Sequence, residues 1–166
     1  LNFFYNNRDY DYKKKNLART NNRNEHNFHI SYFYKYQPEL ALFFQYRLND
    51  TNYEMKKEIS SGGESVNKNN ESNYFIVGSE WQANTNTKVT SEFGIQNRNN
   101  REQKDEDSLY AKINIRHNYA QNSFIESTFK HEKRDSNSPT IYTDELVSSL
   151  NVKTVHNISD ALIASA

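Results

Sequence analysis

The chain has 166 residues, with 34% apolar residues and a mean hydropathy of −1.06, so a soluble globule would have a thin core. Its 21 basic residues balance 21 acidic ones, which removes the electrostatic case for a nucleic-acid partner, and the lack of Cys excludes disulfide scaffolds and Cys-based zinc sites. Low hydropathy alone suggests disorder, but 14% aromatic residues with only four Gly and two Pro argue for an ordered chain.

No run of about 18 apolar residues exists, so no transmembrane helix is expected. No charged-then-apolar leader precedes the first strand-like segment, and the closing Leu162-Ile163-Ala164-Ser165-Ala166 resembles an interrupted strand. Residues 1–166 are therefore expected to be one domain, incomplete at one or both ends. The abundance of Asn with Lys beside it fits an AT-rich genome better than a binding role for Asn.

The main signal is period two, the spacing of side chains on one face of a strand. Nine strands are predicted near 3–8, 24–36, 40–48, 73–82, 87–97, 108–119, 123–132, 143–156 and 161–166. In the second, Phe28, Ile30, Tyr32, Tyr34 and Tyr36 share one parity, opposed by Asn27, His29, Ser31, Phe33 and Lys35. In the third, Leu40, Leu42, Phe44, Tyr46 and Leu48 alternate with Ala41, Phe43, Gln45 and Arg47. Val89, Phe93 and Ile95 alternate with Lys88, Thr90, Glu92 and Gln96. Leu109, Ala111, Ile113 and Ile115 alternate with Tyr110, Lys112, Asn114 and Arg116. Leu146, Leu150 and Val152 oppose Glu145, Ser149, Asn151 and Lys153.

The connections sort into two kinds. Residues 37–39, 83–86, 120–122 and 157–160 read as short turns, whereas 9–23, 49–72, 98–107 and 133–141 read as long polar loops. Strict alternation of short and long connections is the habit of outer-membrane barrels, with short periplasmic turns and long outer loops. Strands of about ten residues, tilted near 45°, span a bilayer core, and only a closed barrel pairs their backbone groups there. The predicted fold class is thus all-β, an antiparallel up-and-down transmembrane β-barrel section of about 8–10 strands, in a bacterial outer membrane. Nine is odd where single-chain bacterial barrels are even, which again points to a piece of a larger barrel.

Aromatic residues fall at two levels. Tyr36, Trp81 and Tyr119 precede short turns, while Tyr46, Tyr74 and Tyr110 flank long loops, so these six are candidates for interfacial girdles. Tyr74 and Trp81 have opposite parity, as do Tyr110 and Tyr119, so without a bulge one of each pair faces inward. The polar parity supplies the lumen candidates: Glu80, Lys88, Glu92, Lys112, Arg116, Glu126 and Lys130. If the turn at 120–122 pairs positions summing to 242, Arg116 lies opposite Glu126 and Asn114 opposite Thr128.

Val77-Gly78-Ser79-Glu80-Trp81-Gln82-Ala83-Asn84-Thr85-Asn86-Thr87-Lys88, followed by Phe93-Gly94 and Arg98, resembles the β-barrel porin 2 family of bacterial outer-membrane proteins. Tyr46-Arg47-Leu48-Asn49-Asp50-Thr51-Asn52-Tyr53 is similar to that family's strand-to-loop junction. The likeness covers most of residues 26–166. It implies a Gram-negative outer-membrane location, contact with membrane lipid and lipopolysaccharide, and association with polysaccharide or the proteins of exopolysaccharide or capsule export. It carries over no catalytic residue. The family's greater length and C-terminal aromatic assembly signal are both missing here.

Nothing else in the sequence points to chemistry. His26, His29, His117, His131 and His156 show no metal-ligand spacing, and His26 and His29 would lie on opposite faces of one strand. Glu102, Asp105, Glu106 and Asp107 read as a solvated loop, with a divalent-cation or lipopolysaccharide contact as the second reading. Ser60-Ser61-Gly62-Gly63 lacks the Gly-Lys-Ser/Thr ending of a phosphate loop. No enzyme, metal or cofactor is expected. The rival class is a soluble extracellular β-sheet protein that binds a ligand or carbohydrate through exposed aromatics. Burial separates the two, because a lipid barrel exposes Leu109, Ala111, Ile113 and Ile115 and turns Lys112 and Arg116 inward.

Overall fold

The computed structural model describes residues 1–11, 13, 22–54, 57–59, 65–67, 69–100, 106–135, 144–159 and 162–165. Among these the fold is all-β. Eleven strands run in chain order: β1 Asn2–Tyr10, β2 Arg23–Gln37, β3 Leu40–Tyr53, β4 Lys57–Ile59, β5 Ser65–Asn67, β6 Asn70–Asn84, β7 Thr87–Asn100, β8 Glu106–Ala120, β9 Ser123–Asp135, β10 Asp144–Ser159 and β11 Leu162–Ser165. Nine form one sheet in the order β1-β2-β3-β6-β7-β8-β9-β10-β11, and β4 pairs with β5 as a separate two-stranded ribbon. Every pairing is antiparallel, so the chain goes up and down and the sheet curls into a half-barrel.

The nine strands of the main sheet lie where period two places them, but several run further. β3 continues to Tyr53 and β6 begins at Asn70, so much of the loop expected at 49–72 is strand or ribbon. These ends are rich in Asn, Asp and Thr, and their pairing with neighbours overrides weak strand preference. β10 runs to Ser159 through the turn expected at 157–160. Ser60, Ser61, Gly62, Gly63, Glu102 and Asp105 lie outside the described residues.

Three tight turns, at 38–39, 85–86 and 121–122, share one construction. Each is flanked by a register shift, at Lys35/Gln37, Gln82/Asn84 and Asn118/Ala120. One residue therefore bulges beside each turn: Tyr36, Ala83 and Tyr119. Such bulges bend the strand and raise its twist, which helps a sheet curl. Asn122 closes its turn at φ 57°, in the left-handed region that Asn tolerates better than most residues.

The registers keep parity aligned across the sheet. Tyr32, Phe44, Val77, Phe93 and Ala111 form one outward row, and Tyr34, Leu42, Ser79, Ser91, Ile113, Phe129 and Leu150 the next. Tyr32, Tyr34, Phe44, Phe75, Val77, Phe93, Ile95, Leu109, Ile115, Leu146, Leu150 and Val152 are all exposed on this convex face. The large buried side chains belong to the other parity. Phe43, Tyr74, Ile76 and Tyr110 form a small apolar cluster with Phe33 against it, surrounded by buried Gln45, Ser72, Glu92, Gln96 and Arg98. Large apolar side chains are thus exposed on the convex face, while the concave face combines the small apolar cluster with charged and amide side chains.

Two glycines permit the curl on the concave side. A Cβ on Gly78 would stand 2.3 Å from the Phe43 ring and 2.4 Å from the Ser91 carbonyl oxygen. One on Gly94 would stand 2.1 Å from the Phe75 carbonyl oxygen. At Gly94 the obstacle is backbone, which cannot rotate away. Gly94→Ala should therefore cost about 1–3 kcal/mol, seen as a lower urea midpoint by circular dichroism. Ser91→Ala, which removes only the 2.8 Å hydroxyl contact with Ser79, should cost less than about 1 kcal/mol. Equal midpoints for the two variants would contradict the close-approach account.

Candidate functional site: the polar concave face

The centre of the concave face is Glu92 on β7. Its Oε2 accepts hydrogen bonds from the Tyr110 hydroxyl at 2.9 Å and from Arg47 Nη2 at 3.1 Å, and its Oε1 from Lys112 Nζ at 3.3 Å. Arg47 Nη2 also donates to Gln45 Oε1 at 2.6 Å, and Gln45 Nε2 donates to Ser31 Oγ at 2.7 Å. Arg47 Nη1 donates to the Tyr110 hydroxyl at 3.2 Å. The Arg47 guanidinium carbon lies 5.6 Å from the ring centroids of both Tyr74 and Tyr110, which meet edge-on at 5.2 Å. One carboxylate thus takes three donors from β3 and β8, and the chain of bonds reaches β2. Charged hydrogen bonds of this kind are stronger than neutral ones.

Arg47 and Glu92 sit on strands separated by β6, so their contact depends on the curl. Gln96 shows the same dependence. Its side-chain amide donates to the Lys133 carbonyl at 2.8 Å and accepts from the Lys133 N–H at 2.9 Å, taking the place of a strand neighbour. The β8–β9 register ends at Ala111↔His131, while β9 remains paired with β10 up to Asp135↔Asp144. The upper part of β9 leaves β8 and bends over the concave side, where fully buried Gln96 holds it.

The seven charged lumen candidates all lie on this concave parity, in two groups. Glu92 and Lys112 belong to the central network. Nearer the short turns, Lys88 Nζ lies 2.7 Å from Glu80 and Arg116 4.0 Å from Glu126, while Lys130, directly opposite Lys112, has its Nζ 2.7 Å from Glu132. The register pairs Arg116 with Glu126 and Asn114 with Thr128, as the turn sum of 242 requires. Asn114 Nδ2 donates to both Glu126 Oε1 and Thr128 Oγ1, at 2.8 and 2.7 Å.

The aromatic candidates divide. Tyr36, Trp81 and Tyr119 are exposed on the convex face near the short turns, and Tyr119 bonds the Val155 carbonyl oxygen at 3.2 Å. Tyr46 is half-buried on the same face and donates to Asn73 Oδ1 at 2.5 Å. Tyr74 and Tyr110 turn the other way and are buried, so the interfacial position expected for them is corrected. The bulge that relieves β8 falls at Tyr119, beyond Tyr110, and leaves Tyr110 on the inward parity. There its hydroxyl finds the donor and acceptor that a buried Tyr needs.

No family model, curated protein or solved structure matches this chain. The site therefore stands on its geometry. Sequence parity located the seven charged positions but missed the participation of Arg47, Gln45, Gln96 and the two buried Tyr residues. The available signal was the aromatic and amide content of the inward parity, where Phe33, Phe43, Gln45, Tyr74, Gln96 and Tyr110 recur. Metal-ligand geometry is also lacking among the described residues. His26 and His29 face opposite sides of β2: His26 bonds the Tyr5 hydroxyl and His29 stacks on Phe4.

Removing Glu92 would leave Arg47 and Lys112 close together without their shared carboxylate. Glu92→Leu should destabilise the fold by about 3 kcal/mol or more, as loss of one partner in a mostly buried pair does. Glu80→Leu, in an exposed pair, should cost less than about 1 kcal/mol. Urea unfolding of the two variants checks the difference. Similar midpoints would remove Glu92 from the centre of the network.

Proposed function

We propose that the chain is part of a bacterial outer-membrane β-barrel protein, structural or passage-forming, accessory to exopolysaccharide or capsule export. The observation that carries this reading is the distribution of polarity over the curled sheet. Its convex face is mainly apolar from β2 to β10, interrupted by Ser79, Ser91, Ser127, His131 and Ser148, and its concave face holds most of the charged and amide side chains between the strand ends. A transmembrane barrel with a wet lumen has this arrangement, whereas a soluble ligand-binding sheet needs Lys112 and Arg116 outside.

The vertical limits of the apolar surface also support a bilayer. On β3 the outward run from Leu40 to Leu48 gives way to Asp50 and Asn52, and on β8 the run from Leu109 to Ile115 is preceded by Asp107. Strands of 13 to 16 residues from β2 to β10, apart from the β4–β5 ribbon, exceed the roughly ten needed to cross a bilayer. Their polar ends would project beyond it on the side of the longer connections. Tyr36, Trp81 and Tyr119 mark the other boundary. The resemblance of 77–98 to β-barrel porin 2 proteins points the same way and supplies the export association.

Two substitutions test the orientation. Ile113 faces outward near the middle of the apolar surface, and Asn114 faces inward beside it. Arg at a lipid-facing midplane site costs about 2–4 kcal/mol, whereas lumenal changes alter selectivity. Ile113→Arg should sharply reduce the amount of assembled protein in the outer-membrane fraction, and Asn114→Arg should leave it near wild type. Equal amounts, or the reverse order, would overturn the proposal.

A further inference from the structure

The charges on the concave face are unevenly presented. From the short turns up to the level of Glu132, the strands present on it Lys35, Lys88, Lys112, Arg116, Lys130 and Lys153 against Glu80, Glu92, Glu126 and Glu132. Six bases against four acids leave two positive charges in a chain that is neutral as a whole. In each of four ion pairs, moreover, the base is the more exposed partner. The side-chain exposures are 49% for Lys88 against 36% for Glu80, and 34% for Lys112 against 10% for Glu92. They are 46% for Arg116 against 31% for Glu126, and 35% for Lys130 against 20% for Glu132. The acids lie lower against the sheet and the cations stand toward the open side.

Two register positions work against stability. Lys88 is directly opposite Arg116, and Lys112 directly opposite Lys130. Like charges directly across a strand pair are destabilising. Arg116 is further braced on the Phe124 ring, 3.8 Å from its centroid, with Lys153 Nζ 5.7 Å from the same ring. The fold thus holds cations side by side where alternating signs would be more stable. The two base pairs share β8, where Arg116 and Lys112 are four residues apart, or about 13 Å.

We infer that this half of the concave face binds an extended polyanion, whose acidic groups settle between Lys88 and Arg116 and between Lys112 and Lys130. The inference deepens the passage reading and rests on it for transport, since it makes the solute a chain bearing repeated carboxylate, sulfate or phosphate groups. A single small anion needs only one of the two base pairs. A polyanion uses both and is drawn in by the net positive field, with an affinity that falls as salt rises.

The test uses fluorescently labelled dextran sulfate and uncharged dextran with the whole protein in detergent micelles. Dextran sulfate should bind, more weakly at higher salt, and dextran should not. Lys88→Gln with Lys130→Gln, one base from each pair, should weaken dextran sulfate binding at least tenfold. Asn7→Asp with Asn99→Asp, which changes net charge equally on the convex face, should leave it within twofold, both pairs being checked for unchanged circular dichroism. Equal binding of the two polymers, or equal weakening by the two variant pairs, overturns the inference. In planar bilayers a potassium chloride gradient should give a reversal potential of anion preference that shrinks in the Lys variant. Cation preference would overturn the inference while leaving a passage in place. Absence of current together with retained dextran sulfate binding would overturn the passage reading and leave the binding surface standing.

Discussion

A strand can offer each face only every second side chain, and a slip of one residue exchanges the faces. That constraint governs this molecule. Seven consecutive pairings from β1 to β10 keep the same parity outward, so an apolar row on one strand meets an apolar row on the next. The tight turns set these registers. Their single-residue bulges fall next to the turn, so the shift of parity is confined to the last residues before it and the strand bodies stay in phase.

Curvature follows from that phase and from Gly78 and Gly94, and the interior follows from curvature. A flat sheet would leave Arg47 and Glu92 apart, separated by β6. Curled, it brings an Arg, a Glu, a Lys and a Tyr into one hydrogen-bonded group and lets Gln96 reach the backbone of β9. The apolar cluster of Phe33, Phe43, Tyr74, Ile76 and Tyr110 fills the angle of the curl rather than the space between two layers. Stability on the concave side therefore depends largely on satisfied polar groups, with few apolar contacts to spare.

Strand positions and the facing of Lys112, Arg116 and their neighbours were legible in the sequence because period two is local. The Arg116–Glu126 pairing was legible because a turn read at 120–122 gives paired positions the sum 242; the structure reaches the same sum with a two-residue turn at 121–122 and a bulge at Tyr119. Contacts between non-adjacent strands were not, since Arg47–Glu92 and Gln96–Lys133 depend on how far the sheet bends. Tyr74 and Tyr110 looked like interface residues because they border polar segments, but parity outranks position along the strand. The strand extensions to Tyr53 and from Asn70 were hidden by Asn- and Asp-rich composition, which reads as loop until the neighbouring strand is present to pair with it.

The proposed barrel requires the convex face of this sheet to meet lipid and the concave face to meet water. Single nitroxide labels placed in turn at residues 109 to 116, in protein reconstituted into vesicles, test it most directly. Labels at 109, 111, 113 and 115 should be relaxed mainly by oxygen, which concentrates in the bilayer. Labels at 112, 114 and 116 should be relaxed mainly by a water-soluble nickel chelate. An alternation with the opposite phase, or high chelate accessibility at both parities, would contradict the account.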